Sequence, residues 1–131
     1  MAEHVPERAE VRALVARLAA AGLDAVWVDR APVFDKTTLL HALYQAVPLT
    51  ADFGFNWDAL EDALYGPEDP GAPPRVLVFR DLELLEEQEP ETARVFLDIV
   101  DTVAASPEST LLGLVRAGDR ASRSRFLQEV E

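Results

Sequence analysis

The 131-residue sequence contains no cysteine, and none of its hydrophobic runs is long enough to span a membrane. The absence of cysteine excludes a disulfide framework and a thiolate metal site. The N-terminal segment 1–24 carries charges through its apolar stretch, so it does not have the form of a signal peptide. We therefore expect a cytoplasmic protein of bacterial type, with no membrane association and no metal or other cofactor.

Basic residues are scarce in the centre of the chain. The whole sequence has 24 acidic and 12 basic residues, a formal net charge of −12. Residues 31–115 hold sixteen of the acids and only four of the basic residues, whereas the charges of the two ends nearly cancel. Such a centre repels nucleic acid and anionic membranes and attracts a basic partner at long range. Acidic composition also favours solubility, so charge alone does not assign a function.

The apolar pattern alternates between helical and extended periodicity along the chain. Short apolar strands are predicted at 25–28, 75–79 and 109–115. Helices are predicted at 35–47, 57–65, 90–106 and 119–130, and a further predicted helix runs through 11–18 and ends at Gly22. The acidic run 81–91 is predicted to be a solvated turn or a short helix. Strands separated by helices pair in parallel through right-handed crossovers. The sequence therefore predicts one α/β domain over residues 1–131, with a three-stranded parallel β-sheet and packed helices.

The helix predicted at 57–65 has an acidic face. Asn56 is its predicted N-cap. Asp58, Glu61, Asp62 and Tyr65 fall at i, i+3, i+4 and i+7, on a different stripe from the residues that face the core. No lysine or arginine occupies a compensating position, and like charges at this spacing destabilise a helix by a few tenths of a kcal/mol per pair. These four residues, the acidic face, are either an ordinary solvated surface or a site for a cationic partner.

The stretch FGFNWDALEDAL (53–64) resembles the signature of the barstar family, intracellular inhibitors of small bacterial ribonucleases. The shared pattern is an aromatic residue, Gly, one variable residue, Asn, a large apolar residue, Asp-Ala-Leu, one variable residue and Asp. The order of the flanking elements agrees as well, so the resemblance covers about 25–116. It leaves 1–24 as an N-terminal helical extension and 117–131 as an Arg-containing C-terminal extension.

The resemblance implies a ribonuclease inhibitor or antitoxin that is not an enzyme and has no catalytic residues. It implies that Asp58 and Asp62 enter the active site of a ribonuclease, with the segment before the helix packed beside them. The predicted partner-binding residues are Asp52, Phe53, Gly54, Phe55, Asn56, Asp58, Glu61, Asp62 and Tyr65. We expect a monomer whose partner is a basic extracellular-type ribonuclease or another cationic protein, and not nucleic acid.

Two positions depart from the family pattern. Asp52 stands where an aromatic residue is common, and Glu61 stands where a tryptophan occurs in barstar itself. Both changes replace apolar contact area with charge and favour a different, more basic target. One alternative is a barstar-fold interaction module for a basic partner that is not a ribonuclease. A second is a hydrolase in which Asp58, Glu61 and Asp62 bind Mg²⁺, although carboxylates on one helix reach only one side of an ion.

Four further features receive structural interpretations. Trp27 and Trp57 are predicted to belong to the core. His41 is predicted to be a surface or capping residue rather than a ligand. The arginines near the C-terminus are predicted to offset the acidic body or to belong to an added helix, with anion or nucleic-acid binding as the alternative: Arg116, Arg120, Arg123 and Arg125.

Overall fold

The computed structural model describes residues 6–46, 56–65 and 71–127, and these contain three strands and six helices. The strands are β1 (Asp24–Trp27), β2 (Arg75–Phe79) and β3 (Leu111–Arg116). The helices are α1 (Arg8–Ala20), α2 (Lys36–Ala46), α3 (Trp57–Tyr65), α4 (Leu82–Gln88), α5 (Pro90–Ala105) and α6 (Arg120–Ser124). The strands pair in parallel in the order β1-β2-β3. The predicted α/β fold with a three-stranded parallel sheet is confirmed.

From Val76 to Phe79 the central strand β2 is apolar on both faces, because helices cover both sides of the sheet. All five of its residues are buried. Side chains alternate between the faces of a strand, so Leu77 and Phe79 pack into a core that involves α2, α3, α4 and α5. Val76 and Val78 point the other way and join a second core. A continuous apolar run is what a strand covered on both faces requires.

Helix α1 supplies the helical layer of the second core. Its buried residues Val11, Leu14 and Leu18 fall on one helical stripe and lie in the same cluster as Trp27 and Val78. The segment predicted as an extension therefore packs on the sheet, and Trp27 is a core residue as expected. The proposed boundaries between a core at 25–116 and two extensions stay a prediction.

The acidic run 81–91 forms the short helix α4. Asp81 is its N-cap and accepts a hydrogen bond from the Leu84 backbone N–H at 3.3 Å. Leu82 and Leu85 are buried, so the run is amphipathic rather than fully solvated. Within the residues that the structure describes, no helix combines the length and the apolar character needed to cross a membrane.

The edge strand β3 contains an irregularity at Gly113. The pairing register with β2 shifts at this point. Arg75 lies opposite Leu111, but the next residue of β2, Val76, lies opposite Gly113. Gly113 has a φ of +153°, and a Cβ at this position would lie 3.3 Å from Cζ of Phe126. The C-terminal segment predicted as a helix at 119–130 forms α6 over Arg120–Ser124, shorter than expected in its described part, and packs against this strand.

Candidate functional site: the acidic face of helix α3

Helix α3 begins at the residue that the sequence indicates. The Asn56 side-chain oxygen accepts a hydrogen bond from the Ala59 backbone N–H at 2.8 Å, and the Asn56 carbonyl accepts from Leu60 at 3.1 Å. An asparagine at this position satisfies an N–H group of the first turn that has no partner within the helix. The predicted N-cap is confirmed, and it fixes the turn that carries Asp58.

The inner side of α3 is anchored in the larger core. Leu60 and Leu64 are fully buried, and Trp57 is half-buried against the same cluster. The ammonium of Lys36 lies 5.0 Å from the centroid of the Trp57 ring, which is a cation–π contact. Apolar packing therefore holds the helix on its inner side, and Lys36 contacts the Trp57 ring.

Arg75 ties the C-terminal end of α3 to the sheet. Its Nη2 donates to the Leu64 carbonyl at 2.8 Å, and its Nε donates to Thr110 Oγ1 at 3.2 Å. The Thr110 backbone N–H in turn donates to the Tyr65 carbonyl at 3.2 Å. Burial lowers the pKa of the Arg75 guanidinium from its ordinary value, and the charge of Asp24 offsets part of this effect. Sequence reasoning missed this role, because the contacts join residues far apart in the chain.

The acidic face points away from these anchors. Asp58 and Asp62 are exposed, and Glu61 and Tyr65 are half-buried. Within the described ranges, none of the three carboxylates forms a hydrogen bond or an ion pair with a side chain. The predicted arrangement of Asp58, Glu61, Asp62 and Tyr65 on one stripe of α3 therefore presents three uncompensated negative charges.

Other acidic helices of the protein are compensated. Arg94 on α5 pairs with Glu91 at 2.8 Å and with Asp98 at 3.3 Å. Arg116 reaches α4, where it meets Glu86 at 2.7 Å and Glu83 at 3.2 Å. The pairing with Arg116 confirms that this arginine offsets part of the acidic body. Among the helices with three or more acids in the described structure, α3 thus differs in having no arginine beside its carboxylates.

Part of the predicted site lies outside the described residues. Asp52, Phe53, Gly54 and Phe55 belong to the range 47–55, so their role stays a prediction. Asp58, Glu61 and Asp62 are described. In the ranges 6–46, 56–65 and 71–127, no three histidine, aspartate or glutamate side chains are grouped so that they could hold a metal ion. His41 lies exposed on α2, in agreement with the expectation of a surface residue.

The fold and this face together define an α/β protein with a core-anchored acidic helix at its surface. A family model described as Barstar (barnase inhibitor) matches residues 23–114. The match covers well over half of the sequence, and the chain belongs to the barstar family. The family is one of inhibitors, and its name describes binding to a ribonuclease. No curated protein matches the chain.

Proposed function

We propose that this protein inhibits a basic ribonuclease of the barnase type by placing the acidic face of α3 in the active site of that enzyme. The observation that carries the proposal is a set of three carboxylates on a helix held by the core, none of which has an ion-pair partner among the described residues: Asp58, Glu61 and Asp62. Membership of a family of barnase inhibitors supports the class of function. In this proposal the chain performs no catalysis, uses no cofactor and acts as a monomer.

The physical basis is a difference between the free protein and the complex. In the free protein the like charges repel one another by a few tenths of a kcal/mol per pair, since the helix surface is solvated. A ribonuclease active site that holds RNA phosphate offers cationic side chains, which would pair with the carboxylates as water leaves. Opposite charge also raises the association rate by about 10- to 1000-fold, an effect already known for the barnase–barstar pair of this family.

Glu61 determines the kind of target that we propose. Its side chain is half-buried between the exposed Asp58 and Asp62, so it adds a third charge to the middle of the face. A buried carboxylate without a partner in the complex would cost several kcal/mol. The complementary active site should therefore place an additional cation opposite Glu61, in a ribonuclease more basic there than one that accepts an apolar side chain.

The test is inhibition of RNA cleavage by the purified protein, measured with a panel of small basic bacterial ribonucleases. Asp58→Asn and Asp62→Asn each remove one charge and keep the side-chain shape. Truncating one partner of a buried charge pair costs about 2–5 kcal/mol, so each change should raise the inhibition constant by at least about 30-fold. Glu87→Gln removes an exposed charge from α4 and serves as the control; it should change the constant less than about twofold.

The outcomes separate the alternatives. Unaltered inhibition by both aspartate variants would refute the acidic face as the binding site. Binding to a basic protein that is not a ribonuclease, with the same dependence on Asp58 and Asp62, would support the interaction-module alternative instead. A melting temperature raised by millimolar Mg²⁺, but not by a sodium salt of equal ionic strength, would support the hydrolase alternative. Analytical ultracentrifugation checks the proposed monomer.

A further inference from the structure

Three arginines line a small crevice at the carboxyl ends of β1 and β2. Arg8 lies at the start of α1, Arg30 lies in the segment after β1, and Arg80 directly follows β2. The crevice has a volume of about 160 Å³ and is also lined by Asp29 and Asp81. This is room for several water molecules, each of which occupies about 30 Å³ in the liquid, and thus for a tetrahedral oxyanion. Helix α3 contributes none of the lining residues.

Among the residues that the structure describes, the three arginines form no ion pair with a carboxylate. The Arg80 Nε donates to the Pro6 carbonyl at 2.7 Å, and the Arg30 guanidinium stacks on Trp27 at 4.9 Å from the ring centroid. Arg8 is exposed. Across the described parts of the chain, none of the three forms an ion pair, although acids outnumber basic residues by 24 to 12. Their guanidinium groups therefore have donors left for a ligand.

The two carboxylates of the crevice are bound to other donors. Asp29 accepts from Trp27 Nε1 at 3.0 Å and from the Arg80 backbone N–H at 2.7 Å through Oδ1, and from the Asp81 backbone N–H at 2.8 Å through Oδ2. Asp81 caps α4. Both carboxylates therefore accept hydrogen bonds from backbone N–H groups rather than from the arginine side chains. With three positive and two negative charges, the crevice is cationic in a protein of net charge −12.

We propose that this arginine crevice binds a phosphate group, either free phosphate or the phosphate of a monoester. Guanidinium groups match the oxygen geometry of phosphate and bind it through paired hydrogen bonds. The crevice also lies outside the carboxyl ends of two neighbouring parallel strands, β1 and β2. The strongly negative protein repels anions at long range, so retention of a phosphate depends on this local cluster. The site is separate from the acidic face and independent of inhibition.

The test is isothermal titration of the full chain with sodium phosphate, against sodium chloride at matched ionic strength. A second arm uses a nucleoside 5′-monophosphate. Arg8→Gln and Arg30→Gln each remove one lining charge, and each should weaken phosphate binding about fivefold, the upper range for an exposed charge pair. Arg12→Gln removes an equal charge from the exposed surface of α1 outside the crevice. It should weaken binding less than about twofold.

Saturable phosphate binding that is weakened by the two crevice variants and kept by Arg12→Gln would support the proposal. Equal affinity for both ligands would then identify the phosphate group alone as the ligand, and tighter binding of the monophosphate would identify a monoester. Absence of saturable binding in both arms would overturn the proposal, and so would equal losses in all three variants. Circular dichroism of each variant checks folding; should Arg30→Gln unfold, the exposed Arg8 still provides the test.

Discussion

Asp29 offers the sharpest quantitative test of how the strand ends are held together. The residue is 7 % exposed, and its carboxylate accepts three hydrogen bonds, one from an indole and two from consecutive backbone N–H groups. These bonds join the segment that follows β1 to the segment that follows β2. Asp29 and Arg80 are 51 residues apart in the sequence. Replacement by asparagine keeps the shape of the side chain and removes one acceptor oxygen, so it isolates the contribution of the second carboxylate oxygen and the charge.

The expected cost follows from the geometry of the three bonds. If the asparagine oxygen faces Trp27 Nε1 and the Arg80 N–H, the amide NH₂ faces the N–H of Asp81, and two donors oppose each other. A hydrogen bond to a charged group contributes about 1.5–3 kcal/mol, and the two retained bonds lose their charge assistance. The smaller desolvation cost of a neutral side chain offsets the lost charge assistance, so the net cost comes from the Asp81 N–H, which is left facing another donor. We expect Asp29→Asn to lower the free energy of unfolding by about 2–3 kcal/mol.

The stability difference should also depend on pH. Burial raises the pKa of the Asp29 carboxyl above its ordinary value and outweighs the hydrogen bonds that lower it. The folded state therefore binds the Asp29 proton at a higher pH than the unfolded state does. As the pH falls from the folded pKa to the unfolded pKa, the wild type gains stability through this group, whereas the variant has no such carboxyl. The difference between the two proteins should widen as the pH falls through this window.

Urea titration at several pH values measures both effects, and a thermal scan should show a melting temperature lower by roughly 5–10 °C for a domain of this size. Asp101→Asn is the matched control, because Asp101 is exposed on α5 and its replacement should cost less than about 0.5 kcal/mol. A loss for Asp29→Asn no larger than that of the control would refute the reasoning. A difference that narrows at low pH would contradict the direction of the pKa shift.

Three further substitutions test the supports of the site and the sheet edge by urea titration. Asn56→Ala removes the cap of α3 and should lower the free energy of unfolding by about 1 kcal/mol. Arg75→Met leaves the Leu64 carbonyl without its guanidinium donor, but relieves the desolvation of that guanidinium, so a net loss of about 1 kcal/mol is expected. Gly113→Ala forces a Cβ against Phe126 at an unfavourable φ and should cost about 1–3 kcal/mol.

Matched variants separate these causes. Asn56→Asp keeps an acceptor for the first turn and should retain stability within about 0.5 kcal/mol, so an equal loss in both Asn56 variants would contradict the cap as the cause. Arg75→Lys keeps a donor and should lose less than Arg75→Met. Gly22 has a φ of +89° with open space around it, so Gly22→Ala reports backbone strain alone. A cost at Gly113 no greater than at Gly22 would show that the contact with Phe126 is not limiting.

Sequence patterns predicted the elements whose determinants are local. The apolar run at 75–79 coincides with β2, and the capping asparagine with its amphipathic stretch coincides with α3. The stripe that carries Asp58, Glu61 and Asp62 follows from helical periodicity, and its exposure follows from burial of the opposite stripe. Such features depend on neighbours within one or two turns, which is why a single sequence is sufficient to find them.

The contacts that join distant segments could not be predicted in this way. Arg75 lies in an apolar strand, and nothing near it in sequence indicates that its guanidinium would reach the Leu64 carbonyl. Asp29 follows β1 and accepts from backbone groups 51 and 52 residues later. The acidic run 81–91 has no basic residue of its own, and Arg116, 30 residues beyond Glu86, compensates it. These pairs depend on strand order and register, which come from the three-dimensional arrangement.

The placement of the arginines explains how the chain maintains an acidic helix without neutralising it. Arg94 and Arg116 pair with carboxylates of α4 and α5, where negative charge would otherwise accumulate around the sheet. Arg75 supports α3 from its buried end, through a backbone carbonyl rather than a carboxylate. A lysine or arginine beside Asp58 or Asp62 would relieve local repulsion of only a few tenths of a kcal/mol. In our proposal it would also compete with the cations of the partner, so a small loss of stability in the free protein preserves the binding charge.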